Sequence, residues 1–175
     1  SRLYDSTTSA SSSILTITSG VSGESLSLTG SGVLGAASAG TQTITNNNTL
    51  AIADGSGGLA SNYTLSGATI NVTIIPRTLN VSLSREYDGT TSVSGSSLTP
   101  TFDSLQGGET LALSGTGSVS TANVGSSKAV SLGSIALAAG SGNPSNYTLN
   151  SATMNITQRV INLDGIRAYD ATTNV

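Results

Sequence analysis

Residues 87–91 read Tyr87-Asp88-Gly89-Thr90-Thr91, and nearly the same five residues stand at Tyr4-Asp5-Ser6-Thr7-Thr8 and at Tyr169-Asp170-Ala171-Thr172-Thr173. Working outward, Gly23-Glu24-Ser25-Leu26 returns as Gly108-Glu109-Thr110-Leu111, and Leu28-Thr29-Gly30-Ser31-Gly32 as Leu113-Ser114-Gly115-Thr116-Gly117. Ser61-Asn62-Tyr63-Thr64-Leu65 returns as Ser145-Asn146-Tyr147-Thr148-Leu149. The order is kept, the offsets run from 82 to 85 residues, and two repeat positions account for all five tyrosines. A period of this length exceeds the roughly 20–50 residues of a solenoid coil and matches a small self-standing domain. The sequence therefore divides into a first unit at 1–76, a complete second unit at 77–159 and the opening of a third at 160–175.

The fold class follows from how apolar residues are spaced within a unit. Hydrophobic residues make up 36% of the chain, enough to argue against disorder in a sequence that is about a third Ser and Thr with 21 Gly. Leu79, Val81 and Leu83 alternate with polar residues, as do Ile70, Val72 and Ile74. Such alternation marks half-buried strands. In the second unit strands are expected near Leu79–Leu83, Glu109–Ser114, Lys128–Leu132, Ser134–Ala138, Tyr147–Asn150 and Thr153–Thr157. In the first they are expected near Ser25–Thr29, Gln42–Thr45, Thr49–Ala53, Tyr63–Ser66 and Thr69–Ile74, with a further candidate at Ile14–Thr18. The reading is all-β, with tandem two-sheet, sandwich-like units of about 82 residues in a rod. The alternative is a β-grasp-like α+β unit with one short helix, for which Leu34–Ala39 is the place.

Pro76-Arg77 stands between two alternating runs and reads as the joint, because Pro donates no hydrogen bond to a ladder and stiffens the chain. The first unit lacks a counterpart of Leu79–Leu83, and Val160–Leu163 reads as that strand for the third unit. An unpaired edge invites an added strand, so other copies of the chain are expected partners there, beside the neighbouring repeats.

The ordered set Tyr87-Asp88-Gly89-Thr90-Thr91, Gly108-Glu109-Thr110-Leu111, Asn123-Val124-Gly125 and Asn146-Tyr147-Thr148-Leu149 resembles the YDG-type repeat, which is similar to the MBG-type repeats of bacterial adhesins. The resemblance implies very large secreted or cell-surface proteins, similar to filamentous haemagglutinin and the high-molecular-weight adhesins of two-partner secretion, with roles in attachment, aggregation and biofilm matrix. Two departures stand out. The Gly89 position is Ser6 and Ala171 in the other copies, which argues either against a positive φ there or for locally looser units. Asn-Val-Gly is replaced by Ser38-Ala39-Gly40 in the first unit.

Several kinds of chemistry are disfavoured by composition. Without His or Cys, the Ser–His and Cys–His nucleophile systems and zinc sites of those ligands are unavailable. A net charge of −3 disfavours nucleic acid, and no apolar run reaches the length of a membrane-spanning helix. No enzyme, cofactor or metal is expected. Gly30-Ser31-Gly32-Val33-Leu34-Gly35 matches the dinucleotide glycine pattern formally, but the second copy loses the third Gly, so a β-turn is the reading. Asp54, Asp103 and Asp164 supply no clustered calcium ligands.

The repeat-defining residues Tyr4, Asp5, Tyr87, Asp88, Gly89, Tyr169, Asp170, Asn62, Tyr63, Asn146 and Tyr147 read first as structural. On that reading the Tyr ring is buried at a domain end with its hydroxyl on a backbone carbonyl, while Asp makes an Asx-turn with the threonines behind it. The second reading is a glycan contact, an aromatic face beside a carboxylate, at Tyr87, Asp88 and Phe102. Asn47, Asn62, Asn71, Asn80, Asn146 and Asn155 each head a glycosylation sequon. The expected role is the stalk or fibre body of a secreted surface adhesin, with weak multivalent binding of glycan, mucin or exopolysaccharide as the alternative.

Overall fold

The computed structural model of the chain describes residues 1–65 and 69–165. It is almost entirely β. In chain order the strands are β1 (Arg2–Leu3), β2 (Ser9–Ser11), β3 (Leu26–Thr29), β4 (Ser31–Leu34), β5 (Gly40–Asn46), β6 (Ala51–Asp54) and β7 (Asn71–Ile75) in the first unit. The second unit has β8 (Arg77–Glu86), β9 (Ser92–Ser94), β10 (Thr101–Phe102), β11 (Leu111–Ser114), β12 (Thr116–Val119), β13 (Gly125–Ser131), β14 (Ala136–Ala139) and β15 (Tyr147–Thr157).

Both units share one plan. The main sheet of the first runs β1-β7-β5-β4-β2 and that of the second β10-β8-β15-β13-β12-β9, while the short ribbons β3-β6 and β11-β14 form a second layer. The first and last strands of a unit are parallel neighbours: β8 beside β15, and β1 beside β7. The other pairings in both main sheets and both ribbons are antiparallel. Along β8, Leu79, Val81 and Leu83 are buried while Thr78, Asn80, Ser82 and Ser84 face solvent, as period-2 geometry requires. Val81 and Leu83 join Val93, Leu113, Val119, Val130, Ile135, Ala152, Met154 and Ile156 in the core of the second unit, to which sheet and ribbon both contribute.

The architecture is the expected all-β sandwich-like one, and several local expectations change. The regular helices among the described residues are three-residue 3-10 turns, so Leu34–Ala39 forms no helix and Leu34 ends β4 instead. The expected strands at Tyr147–Asn150 and Thr153–Thr157 are one strand, with a register shift between Leu149 and Ser151. Ile14–Thr18 is not a strand; a 3-10 turn at Ser12–Ile14 leads into irregular chain. Tyr63–Leu65 is not a strand either, and Ser66 lies outside the described residues.

The two last failures have one cause. In the second unit Tyr147–Leu149 pairs with Arg77–Leu79 and Thr101–Phe102 pairs with Ser82 and Val81, all on the length of β8. In the first unit β1 has two residues in that place, and the counterparts of those partners form no strand. Val160–Leu163 likewise forms no strand, having no ladder partner among the described residues.

Candidate functional site

The second buried cluster lies across the joint. Tyr4, Ala10, Leu34, Val72 and Ile74 of the first unit pack with Leu79, Leu111 and Tyr147 of the second. β7 ends at Ile75 and β8 begins at Arg77, so one proline separates the two sheets and keeps this apolar surface in register.

At its centre are residues that recur. Tyr4 is 3% exposed and meets Tyr147, 5% exposed, edge to face, with ring centroids 5.3 Å apart and planes at 77°. Such pairs contribute about 0.5–1.5 kcal/mol beyond area burial. Both hydroxyls donate to Glu109, Tyr4 to Oε1 at 2.6 Å and Tyr147 to Oε2 at 2.5 Å. The Tyr147 hydroxyl also accepts from the Gln106 N–H at 3.1 Å. Buried Asn146 accepts from the Ala39 N–H through Oδ1 at 2.8 Å, and Arg77 Nε donates to the Tyr4 carbonyl at 3.0 Å. Four contacts thus tie unit to unit, and each uses a Tyr, Asn, Glu or Arg at a fixed repeat position.

The electrostatics follow the geometry. Burial, followed by the hydrogen bond to the Glu109 carboxylate and its charge, pushes the Tyr4 hydroxyl up from 10.0 to about 12. Burial and the same carboxylate also raise Tyr147. A carboxylate between two protonated phenols is a satisfied acceptor, and it holds both in their neutral form.

Behind each Tyr stands the expected turn. Asp5 Oδ1 accepts from Thr7 N–H at 2.9 Å and Thr7 Oγ1 at 2.8 Å; Asp88 Oδ1 accepts from Thr90 N–H at 2.9 Å and Thr90 Oγ1 at 3.0 Å. Burial would raise Asp5, but the Thr7 N–H and the Arg2 guanidinium outweigh it and hold the carboxyl below its usual value. Asp88 is lowered first by the Thr90 N–H, with Arg85 adding to the effect.

Two expectations are corrected here. The Tyr4 hydroxyl meets a carboxylate rather than a backbone carbonyl, because the neighbouring unit brings Glu109 to it. The position after Tyr-Asp does take a positive φ, +78° at Gly89 and +62° at Ser6. Hydrogen bonding by Asp5 and by Arg2, which pairs with Asp5 and donates to the Thr7 carbonyl at 2.5 Å, holds the turn around Ser6 in place.

That arginine is the residue the motif reading missed. Arg85 does the same in the second unit, donating to the carbonyls of Thr90 and Ser92 at 2.5 Å each and pairing with Asp88 at 3.2 Å. The signal is in the sequence: Arg stands two residues before each Tyr, at Arg2, Arg85 and Arg167. The motif is Arg-x-Tyr-Asp-x-Thr.

A family model for the YDG domain matches residues 1–72 and again residues 71–154. The chain belongs to the YDG domain family. Searches of curated proteins and of solved structures gave no match. Two adjacent YDG copies thus meet where their shared motifs meet.

The remaining marked residues of the YDG units are placed as follows. Tyr87 is 40% exposed, with Asp88 beside it, while Phe102 pairs with Val81, six residues back along β8 from Tyr87. At about 3.3 Å per residue that is roughly 20 Å, so the three do not form one platform. Phe102 is half-buried against both cores. Asn62 is exposed, and Tyr63 donates to Glu24 Oε2 as Tyr147 does to Glu109 Oε2. Asn146, buried and engaged, is not an accessible sequon in this structure. Asp54 accepts from Ala60 N–H at 2.7 Å and Asp103 from Asn80 N–H and Nδ2 at 3.1 and 2.8 Å, as structural caps. Gly30 makes a tight turn into β4, with no helix following, in place of a phosphate loop. Tyr169, Asp170 and Ala171 lie outside the described residues.

Proposed function

We propose that these YDG units are non-enzymatic structural repeats forming the stalk or fibre body of a secreted bacterial surface adhesin or biofilm-matrix protein. The observation that carries the reading is the joint. The residues that define the repeat are used to fasten one unit to the next, through Tyr4, Glu109, Asn146 and Tyr147. A binding module would have its marked residues turned to solvent; a load-bearing repeat needs them between its beads. The polar outward faces of Ser, Thr and Asn suit an extracellular life of changing salt and pH, since few ion pairs support the fold. The partners of such a stalk are its own neighbouring units.

Small-angle scattering of the whole chain tests this reading. A stalk gives one fixed, elongated particle, and the Tyr4→Ala, Glu109→Ala double variant gives a broader distribution of lengths. A wild type as broadly distributed as the variant would sink the proposal.

Multivalent glycan binding is the second reading, favoured by exposed Tyr87 beside Asp88. A polysaccharide array discriminates: binding lost in Tyr87→Ala would move the repeats from spacer to receptor.

A further inference from the structure

Where β10, β8 and β15 lie side by side in the second unit, their side chains enclose an open groove of about 190 Å³. That is smaller than the roughly 300–1,000 Å³ of pockets for drug-sized ligands and suits one small ring. Asn80, Ser82, Asp103, Ser151 and Thr153 supply its polar groups, and Val81 and Phe102 give it an apolar floor. Among the described residues that line it, Asp103 is the one charged group.

The polar groups are fixed before any ligand arrives. Asn80 donates to Asp103 twice, from its N–H to Oδ1 at 3.1 Å and from Nδ2 to Oδ2 at 2.8 Å. Asn80 Oδ1 accepts in turn from Asn150 Nδ2 at 2.9 Å and Ser151 Oγ at 2.8 Å. Both donors reach the same oxygen because the register of β15 against β8 shifts between Leu149 and Ser151. Such bulges re-aim side chains and are over-represented beside functional sites. Next along the groove the Ser82 and Thr153 hydroxyls meet at 3.2 Å. An ionised carboxylate has about four lone-pair sites, of which Asn80 takes two. The side chain and then the backbone of Asn80 hold the Asp103 carboxyl below its usual value, so it is charged in neutral solution.

The repeat does not require this arrangement. Counting back from the shared Glu24 and Glu109, Ile17 and Thr18 hold the places of Phe102 and Asp103 in the first unit. The aromatic floor and the carboxylate therefore belong to the second unit, while the joint and its Tyr, Asn and Glu recur.

We propose that this groove binds one ring of a neutral saccharide, with Asp103 accepting from a pair of its hydroxyls, Thr153 and Ser82 bonding a third, and its C–H face resting on Val81 and Phe102. A saccharide fits because hydroxyls, amides and a single carboxylate around a small apolar floor match a molecule of hydroxyls on an apolar ring. It is neutral because no Lys or Arg lines the groove and the carboxylate repels an anion. The site is separate from exposed Tyr87 and Asp88, and the stalk reading does not depend on it.

Amide NMR of the whole chain, titrated with neutral glucose-, mannose- and galactose-based oligosaccharides, tests the site. At least one sugar is expected to shift the amides of Asn80, Thr101, Asp103 and Ser151 to saturation, with one site per chain. Asp103→Asn keeps the shape and removes the charge, and is expected to weaken binding on the order of tenfold, as loss of a hydrogen bond to a charged group does. Thr153→Val keeps the size without the hydroxyl and is expected to weaken binding by a smaller factor. Unchanged amide spectra away from the groove show that both variants fold. No shift with any of these sugars up to their solubility overturns the proposal, as does binding that survives both substitutions unchanged. Tighter binding of a uronic-acid or sulfated oligosaccharide overturns it too, and so does binding that is lost in Tyr87→Ala while the groove amides stay still. Scattering of the whole chain tests the stalk by itself, so the two readings fail separately.

Discussion

Ser6 and Gly89 occupy the same turn with φ of +62° and +78°, and only one of them is glycine. A left-handed conformation costs an L-residue roughly 1–2 kcal/mol, while glycine in the unfolded chain costs about 0.5–1 kcal/mol of extra entropy. Ser6→Gly is therefore expected to stabilise the chain by about 0.5–1 kcal/mol in urea unfolding; a loss of stability would mean that the Ser6 side chain, packed near Gly107, contributes more than its backbone costs. Tyr4→Phe keeps the ring against Tyr147 and removes one hydrogen bond to a carboxylate, for a loss of about 1–2 kcal/mol. Tyr4→Ala also opens a cavity in the shared core and is expected to cost about 3–5 kcal/mol. An equal loss for the two variants would show that the hydroxyl carries the contact and the ring does not. The Asx-turns of Asp5 and Asp88 were legible because their partners are two residues away. Glu109 was visible as part of a repeated motif, yet its meeting with Tyr4 was not, since the joint closes a separation of 105 residues that no local pattern records.

Strands were legible where they are long enough to alternate. β8, β7 and β15 show it plainly; β2 (Ser-Ala-Ser), β9 (Ser-Val-Ser), β4 (Ser-Gly-Val-Leu) and β12 (Thr-Gly-Ser-Val) are three or four residues with one or two apolar side chains each, too few to set a period. The glycines before β4 and β12 carry more information than their strands. Gly30 and Gly115 have φ of +76° and +77°, and a Cβ on either would lie 2.0 Å from the carbonyl oxygen of Thr49 or Ser134. No L-residue fits without moving that backbone. Gly115→Ala is expected to cost about 2–4 kcal/mol, combining left-handed strain with displacement of the β13–β14 connection. A urea midpoint within error of wild type would show that the turn is not rigid. The order of strands in the sheets was not readable at all, because the alternation of β8 and of β15 is equally compatible with any neighbour.

At the scale of the whole chain the joint makes the two units one folding problem, since Leu79, Leu111 and Tyr147 complete a cluster that the first unit begins. Among the described residues the ion pairs are Arg2–Asp5 and Arg85–Asp88, both local, so long-range cohesion rests on apolar packing and on the phenol–carboxylate bonds. Those bonds are sensitive to alkali. Tyr4 is raised from 10.0 to about 12, so its contribution is complete below pH 10 and is lost as pH climbs from about 10 to about 12. Wild type is expected to lose urea stability across that window more steeply than Tyr4→Phe, which has no proton to give up there; parallel slopes would count against it. β8 and β15 pair in parallel, from Tyr147 opposite Arg77 to Thr157 opposite Glu86. Tension along the chain enters the second unit at the start of one of these strands and leaves at the end of the other, so it loads the ladder in shear and its hydrogen bonds must give way together. The chain has no Cys, so paired handles can be placed freely for single-molecule stretching. Pulling between residues 78 and 157 should need a larger rupture force than pulling between 86 and 157, which unzips the same bonds one at a time. Equal forces would mean that the ladder is not what bears the load.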